Sequence, residues 1–298
     1  MSGEASAVAV AIVGAGLMGS QIGCEYALGG HPVIWIVRER ERARARIDAA
    51  LQIAHHHGLA DAEGLAAASA RISVRESFAG EEPVELIVES VIEQRDVKVA
   101  LLRDAGAWRP AATIATNSSS IGVSELGRLA GIEERIVATH YWNPPLLMAL
   151  VEVLAGERTT PGRLERVVAL LRAIGKRPIE LSAEVPGLLW NRLQLAVLRE
   201  SLWLVEHGVA TPEAIDEVMR DGLARRWRLT GPFETVSLGG AAVFEAVAAN
   251  LFPVLSNAQR SQGLAAHLID DERRLAELRA RRDEALAAQL AAERAAGS

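Results

Sequence analysis

His140 and Glu152 are the two residues whose types and surroundings best suit acid–base chemistry. His140 ends one apolar run, and Glu152 lies inside the next, residues 150–154. A carboxylate buried among aliphatic side chains is costly unless it is paired. An imidazole is an economical partner, because the carboxylate fixes its tautomer and stabilises its charged form. The pair predicts that His140 acts as a general base held by Glu152, and a purely structural histidine is the alternative.

A glycine-rich turn is the second chemical feature. Residues 14–19 read Gly-Ala-Gly-Leu-Met-Gly and follow a β-branched run, 8–13, that predicts a buried strand. In such a turn the first glycine permits a tight bend, the second lets a pyrophosphate approach, and the third lets the next helix pack closely. We therefore predict a dinucleotide site, with a tight turn that binds nothing as the alternative. The residues expected to line the site are Gly14, Gly16, Leu17, Met18 and Gly19.

The end of the second predicted strand bears on the choice of cofactor. An acidic residue about 20 positions after the glycines usually binds the adenosine ribose and disfavours NADP. Here Val37 and Arg38 occupy that place, and Glu39 comes one position later. A guanidinium at Arg38 suits a 2′-phosphate, although Arg38, Arg40 and Arg42 equally suit a solvated helix face. The sequence thus predicts NAD or NADP with weak discrimination.

The elements around these residues alternate in type through the first part of the chain. Strand-like runs lie at residues 8–13, 33–37, 72–74, 86–89, 113–115, 136–139, 150–154 and 178–181. Amphipathic stretches separate most of them, which predicts βαβ units and a mostly parallel sheet. Strand patterns then stop, and Pro186-Gly187 opens a long helix. The predicted fold class is α/β, with a Rossmann-like doubly wound domain over 1–183 and an all-α substrate and dimerisation domain over 184–298.

The helix that follows Gly187 is apolar nearly all round as far as about His207. Helices of this kind are normally buried on most faces. A large apolar face that its own domain leaves uncovered usually marks an interface, and two-fold dimers are the commonest closed assembly. We therefore predict a homodimer through the C-terminal domain. The charged tail, 271–294, predicts a solvated helix whose leucine stripe lies against a partner subunit.

Composition narrows the class of protein. Of 298 residues, 50% are hydrophobic and 23% charged, an ordinary balance for a folded protein. The net charge of −6 argues against a nucleic-acid surface. No apolar run reaches the ~18 residues of a membrane span, and the start of the chain lacks the basic region of a signal peptide. The sequence therefore predicts a cytoplasmic protein with no membrane or nucleic-acid partner.

Cysteine, histidine and lysine usage is also informative. The single cysteine, Cys24, permits no internal disulfide, and we expect it in the core. His55-His56-His57 point in different directions if they are helical, so no metal site is expected. Of 32 basic residues only Lys98 and Lys176 are lysines.

Five ordered motifs resemble those of the L-3-hydroxyacyl-CoA dehydrogenase family. The segment from His140 to Val153 is similar to its H-F-F-N-P-x-x-x-M-x-L-V-E-V signature, with Tyr141 and Trp142 in place of the two phenylalanines. The other matches are 14–19 with G-x-G-x-M-G, 93–98 with E-x-x-x-x-K, 117–120 with N-T-S-S and 191–193 with N-R-L. The resemblance implies the two-domain plan predicted above.

The resemblance also implies roles for individual residues. His140 is expected to take the substrate hydroxyl proton, and Glu152 to hold His140. Ser119 and Asn191 are expected to bond the reacting oxygen and a neighbouring carbonyl. Contacts with the ribose and nicotinamide parts of the cofactor are implied for Glu93, Lys98, Ser119 and Asn143.

Residues 215–238 and 191–194 are similar to the λ-crystallin and L-gulonate 3-dehydrogenase branch of the family. That branch acts on small hydroxy acids, so the implied function is hydride transfer between NAD(P) and C3 of a small 3-hydroxy acid. A dehydrogenase of CoA thioesters is the near alternative. Residues 38–77 argue against it, because they contain no lysine and are shorter than the lysine-rich helical pair over which CoA lies in that family. A non-catalytic, crystallin-like binding protein is the more distant alternative.

Overall fold

The computed structural model describes residues 7–261 and 264–297 of the chain. The described residues up to Trp190, together with those from Ala276 onward, form one compact unit, and Asn191–Leu275 form a second. The boundary between the two compact units thus falls inside a helix, and the C-terminal segment belongs to the first unit. The predicted domain limits, 1–183 and 184–298, stay a prediction.

The first unit is built on a single sheet. Within the described residues its strands are β1 (Ala9–Val13), β2 (Val33–Ile36), β3 (Ile72–Arg75), β4 (Val84–Glu89), β5 (Thr113–Thr116), β6 (Ile136–Tyr141), β7 (Leu150–Ala155) and β8 (Arg177–Glu180). They are ordered β3-β2-β1-β4-β5-β6-β7-β8. All neighbouring pairs are parallel except β6 and β7. The order of the first six strands is that of a doubly wound nucleotide-binding sheet, which confirms the predicted fold class.

Helices cover both faces of this sheet. They are α1 (Leu17–Leu28), α2 (Arg40–His56), α3 (Ala62–Ala70), α4 (Arg95–Trp108), α5 (Val123–Ala130) and α6 (Arg163–Ala173). Two apolar clusters result. One includes Trp35, Ile47 and the predicted core residue Cys24, and the other includes Ile87 and Ile114. The strands are nearly continuous runs of apolar residues because both faces of the sheet are covered.

The second unit is helical. Its elements are the greater part of α7 (Leu188–Glu206), α8 (Pro212–Glu217), a π-helical segment (Val218–Leu223), α9 (Ala224–Trp227), α10 (Pro232–Gly239), α11 (Ala241–Leu251), two 3-10 turns (Phe252–Val254, Leu264–His267) and the start of α12 (Glu272–Gly297). No single described helix is long and apolar enough to cross a membrane. One pair, Pro232–Gly239 with Ala241–Val254, passes by length and composition and is bent by 115°.

The structure differs from the expectations for two helices: α7 is not buried on most faces, and the stripe of α12 packs in part on its own chain. Leu188 is the one described residue of α7 that is buried, whereas Leu193 and Leu195 are 58% and 56% exposed. The reason is that a nonpolar helix is covered only if neighbouring elements supply the cover, and the second unit is small. Most described residues of α12 are exposed, as predicted. Its end is nevertheless attached to the same chain, because Leu290 is buried in the first unit and Arg177 pairs with Glu293 at 3.3 Å.

Candidate active site

The glycine-rich turn joins β1 to α1 at the carboxyl edge of the sheet, beside the change of strand order between β1 and β4 where such folds bind nucleotides. Gly14 has φ +101°, and a Cβ there would lie 2.6 Å from the Ser90 carbonyl oxygen. A Cβ on Gly19 would lie 2.3 Å from the Gly14 oxygen, while a Cβ on Gly16 would meet nothing within 4 Å. Gly14 and Gly19 therefore close the turn, and Gly16 leaves open space at the start of α1. Beside it Leu17 is exposed and Met18 half-buried. The turn fits a dinucleotide pyrophosphate.

Neither of the two residues that directly follow β2 carries a carboxylate. Val37 is half-buried and Arg38 is exposed. Glu39 comes next, at the start of α2, and pairs loosely with Arg42 at 3.7 Å on the surface. The local charge at this edge is thus mixed.

His140 and Glu152 meet as the sequence predicts. They are directly opposite each other in the antiparallel register of β6 and β7, and such cross-strand pairs bring side chains together. The distance from His140 Nδ1 to Glu152 Oε2 is 2.6 Å, and both residues are buried. Because an ionised carboxylate only accepts hydrogen bonds, Nδ1 is the donor and Nε2 carries the free lone pair.

The second oxygen of Glu152 holds the beginning of α7. Glu152 Oε1 accepts hydrogen bonds from the backbone amides of Leu189 and Trp190, each at 2.8 Å. Burial by itself would raise the pKa of Glu152, but the bonds from His140, from the Trp190 amide and from Trp142 outweigh it and lower the pKa. Glu152 is therefore kept ionised. The sequence motif gives no sign of the two amide contacts, because they depend on where α7 begins.

Two tryptophans lie next to this pair. The rings of Trp142 and Trp190 stack with centroids 3.9 Å apart and an interplanar angle of 23°. The indole N–H of Trp142 donates to Glu152 Oε2 at 3.4 Å. Tyr141, the other departure from the family motif, turns into the core, where its hydroxyl bonds that of Tyr26 at 3.1 Å.

Glu93 organises the serine loop that follows β5. Its Oε1 accepts bonds from the Ser118 hydroxyl at 2.7 Å, from the Ser119 amide at 2.9 Å, and from the Ser120 amide and hydroxyl, both at 2.9 Å. Burial opposes ionisation, but the hydrogen bond from Ser118 and the charge of Lys98 outweigh it and lower the pKa of Glu93 to about 2. Glu93 and Ser119, which the sequence assigns to one site, are thus in direct contact.

Lys98 lies behind this loop in a buried ion cluster. Its ammonium nitrogen is 2.7 Å from Glu89 Oε1, 3.1 Å from Glu93 Oε2 and 3.4 Å from the Val91 carbonyl oxygen. Glu89 also accepts from the Thr116 hydroxyl at 2.7 Å. Glu89 was not among the residues predicted from the sequence. The available signal was a carboxylate ending an otherwise apolar strand, the same signal that marked Glu152. The role of Lys98 toward the cofactor stays a prediction.

The turn after β6 contains Asn143, which is exposed and precedes a cis peptide bond to Pro144. The buried Lys176 fixes this turn, because its ammonium donates to the Pro145 and Met148 carbonyl oxygens at 2.7 and 2.8 Å. Lys176 also pairs with the buried Glu25. Both lysines of the chain therefore hold loops at the carboxyl edge of the sheet.

A cavity of about 260 Å³ lies beside the serine loop, with Thr116, Ser119, Ala138 and Glu184 among its lining residues. Asn191 is the first residue of the second compact unit, so its predicted contact with substrate stays a prediction. Among the described residues no group of histidine, cysteine and acidic side chains is arranged to hold a metal ion.

A doubly wound sheet, a dinucleotide-binding turn and a buried histidine–glutamate pair are the features expected of a nicotinamide-dependent dehydrogenase. The sequence profile described as "3-hydroxyacyl-CoA dehydrogenase, NAD binding domain" matches residues 9–185, and that of the family's C-terminal domain matches 187–277. The chain belongs to the 3-hydroxyacyl-CoA dehydrogenase family, which confirms the resemblance drawn from the motifs.

The names of the individual relatives refer to different substrates. The chain is 30% identical over 253 residues to a 5-formyl-3-hydroxy-2-methylpyridine 4-carboxylate 5-dehydrogenase of Mesorhizobium japonicum, covering 83% of this chain and 81% of that protein. It is 39% identical over 157 residues to the L-carnitine dehydrogenase of Burkholderia mallei, covering 52% of this chain and about half, 49%, of that protein. The closeness to the λ-crystallin and gulonate branch stays a prediction.

Solved structures agree with this grouping. A crystal structure of the pyridine carboxylate dehydrogenase, described as an NAD+-dependent dismutase, superposes with a TM-score of 0.84 at 26% identity and covers 95% of this chain and 97% of that one. The (S)-3-hydroxybutyryl-CoA dehydrogenase of Ralstonia eutropha superposes with a TM-score of 0.68 at 29% identity, covering 74% and 78%.

Proposed function

We propose that this dehydrogenase moves a hydride between NAD and C3 of a small 3-hydroxy acid, with His140 as the general base. The observation that carries the proposal is the buried contact of His140 with Glu152 at 2.6 Å. This contact lies in the same unit as the dinucleotide turn, which is at the carboxyl edge of the sheet. A structural histidine needs no ionised partner, whereas a base that becomes charged during the reaction does.

Each of these residues has a separate role in the proposed reaction. When bound, the nicotinamide cofactor supplies the hydride acceptor, and Gly14, Gly16 and Gly19 would hold its pyrophosphate. Glu152 fixes the tautomer of His140, so that Nε2 is available to take the hydroxyl proton during oxidation. As positive charge develops on the imidazole, the ionised Glu152 stabilises it. By the family motif Ser119 and Asn191 bond the oxygen at which charge develops.

Two observations favour a small acid over a CoA thioester. The superposition with the pyridine carboxylate dehydrogenase extends over 95% of the chain, against 74% for the hydroxybutyryl-CoA enzyme. In addition α2 and α3 contain no lysine, and their arginines are confined to the first half of α2, so they lack the lysine-rich surface over which CoA lies in the family. The names of the curated relatives add carnitine and a pyridine carboxylate to the candidate substrates.

A substrate panel tests the proposal. Reduced nicotinamide formation is followed with L-gulonate, L-carnitine, 5-formyl-3-hydroxy-2-methylpyridine 4-carboxylate and 3-hydroxybutyryl-CoA. We expect turnover with L-gulonate or L-carnitine, in which C3 carries both a hydroxyl and a hydrogen, and a lower kcat/KM for the thioester. Turnover of the pyridine carboxylate alone would contradict the proposal, because its aromatic C3 has no hydrogen to transfer and its formyl group would be the site of oxidation. A clear preference for the thioester would support the alternative. Cofactor binding without turnover on any compound would support a crystallin-like role.

We also propose that NADP is usable beside NAD. Val37 in place of an acidic residue removes the main source of repulsion against a 2′-phosphate, and the exposed Arg38 is suited to pair with it. The test is kcat/KM for both cofactors in the native enzyme and in Arg38→Ala. We expect the variant to lose efficiency with NADP and to keep it with NAD. A strong NAD preference that is the same in both proteins would show that Arg38 never meets the ribose.

Finally, we propose a homodimer through the C-terminal domain. Its support is the apolar surface of the second unit, where large side chains are exposed on successive elements: Leu193, Leu195, Leu229, Phe233, Leu238 and Phe252. Patches of this extent on a soluble chain usually mark an interface, and a two-fold dimer covers the same patch on both subunits.

A further inference from the structure

Trp142 contacts the carboxylate oxygen that orients the base. Its indole N–H lies 3.4 Å from Glu152 Oε2, the same oxygen that His140 Nδ1 approaches to 2.6 Å. The half-buried ring is held in place by stacking on Trp190. The family motif has phenylalanine at this position, and the phenylalanine side chain has no N–H or O–H group to donate a hydrogen bond.

Two donors that share one oxygen compete for its negative charge. When the indole takes part of that charge, less remains to stabilise a positive imidazole. We propose that Trp142 is a positioning residue that weakens the hold of Glu152 on protonated His140, and so lets His140 act as a base at lower pH. The inference deepens the proposed function and rests on it, because only a proton-accepting His140 gives the effect a purpose.

The other polar groups near His140 and Glu152 have partners of their own, so the indole contact can be considered separately. Glu152 Oε1 is occupied by two backbone amides at the start of α7. On the same strand as His140, Tyr141 is engaged with Tyr26 in the core. The carboxylate of Glu89 on β4 is paired with Lys98 and Thr116. The ionisable groups that face each other at this point are thus His140 and Glu152, and Trp142 is the side chain that modulates them.

Trp142→Phe isolates the effect, because it keeps an aromatic ring for stacking and removes the donor. We expect the acid limb of the kcat/KM profile to move to higher pH by on the order of half a unit, as for loss of a weak hydrogen bond to a charged group. The His140 ring resonances of the cofactor-free protein, assigned by comparison with His140→Gln, should show the same displacement in an NMR titration. The matched control is Trp190→Phe, which changes the stacking partner and leaves the Trp142 donor in place, so neither midpoint should move.

Three results would overturn the inference. One is an unmoved midpoint in Trp142→Phe, even if kcat falls, since that is what a packing role alone would give. Another is an equal displacement in Trp190→Phe. The third is a displacement by Trp142→Phe that persists in a Glu152→Gln background, where the shared charge is gone. Failure of the proposed function is a separate outcome, because the NMR titration requires no substrate.

Discussion

Loss of the imidazole at position 140 should affect the chemical step and leave cofactor binding intact. His140→Gln keeps the side chain polar and similar in reach but removes the proton acceptor, so we expect kcat to fall by at least ~10²-fold, as for loss of a general base. Glu152→Gln should lower kcat as well, because the imidazolium loses its counter-charge. The measurements are steady-state kinetics on the best substrate and the dissociation constant of NAD. Near-normal turnover in His140→Gln would refute the mechanism.

Two glycines of the dinucleotide turn should respond differently to the same methyl group. A Cβ on Gly16 meets nothing within 4 Å, so Gly16→Ala should fold with an unchanged Tm and weaken NAD binding about tenfold or more by blocking the phosphate approach. A Cβ on Gly19 would lie 2.3 Å from the Gly14 oxygen. Gly19→Ala should therefore lower Tm by several degrees, since overpacking costs about 1–3 kcal/mol.

Thermal unfolding and fluorescence titration with NAD distinguish these two effects. A Gly16→Ala protein that is less stable than Gly19→Ala would show that the space in front of Gly16 is not reserved for a ligand.

At this scale the sequence predicted part of the site. The contact of His140 with Glu152 was predictable, because a carboxylate in an apolar strand requires a partner. Glu89 carried the same signal, but nothing nearby in sequence named Lys98 as its partner. The amide contacts of Leu189 and Trp190 with Glu152 were not predictable, since they arise from the three-dimensional position at which α7 starts.

At the scale of elements, the acid side of the stability curve should depend on Glu93. Its pKa is lowered in the folded state to about 2 from an ordinary value of 4.5, so Glu93 stabilises the fold above pH 4.5 and that contribution is lost as pH falls toward 2. Glu93 holds the loop after β5 to the start of α4, so the effect belongs to their junction.

Glu93→Gln removes this titration. We expect the free energy of unfolding of the native protein to fall more steeply between pH 4.5 and 2 than that of the variant, because this is the window between the two pKa values of Glu93. Urea denaturation at several pH values checks it. Glu81→Gln, at an exposed position away from this loop, is the control and should follow the native curve. Parallel curves for native protein and Glu93→Gln would contradict the prediction.

Elements were predicted with unequal success for a physical reason. Strands buried on both faces produce continuous apolar runs, and β1, β2, β4, β5, β6 and β7 all lie within or near the predicted runs. For α7 the helix itself was predicted correctly, whereas the burial expected for most of its faces is absent. Periodicity reports which side chains need cover, whereas burial depends on elements distant in sequence or on another chain.

At the scale of the whole molecule, the prediction concerns assembly. Light scattering at micromolar concentration should give twice the chain mass of 31.9 kDa, because a dimer covers the apolar surface of the second unit. Phe233 and Phe252 are 86% and 73% exposed, and replacing both with Asp should reduce the mass toward that of a monomer. Ile179→Thr, at an exposed apolar position of the first unit, is the control. A native protein of monomer mass would refute the dimer.

The scarcity of lysine has a practical consequence. Lys98 and Lys176 are the only lysines among 298 residues, and their side chains are 1% and 5% exposed and paired with carboxylates. Amine-reactive esters attack uncharged, accessible amines, so the folded chain should offer them little beyond its α-amino group. Lysine cross-linkers will therefore fail to record subunit contacts through these two side chains. Any slow labelling of Lys98 or Lys176 will measure how often the serine loop and the turn after His140 open, two places for which the proposed function predicts ligand contacts.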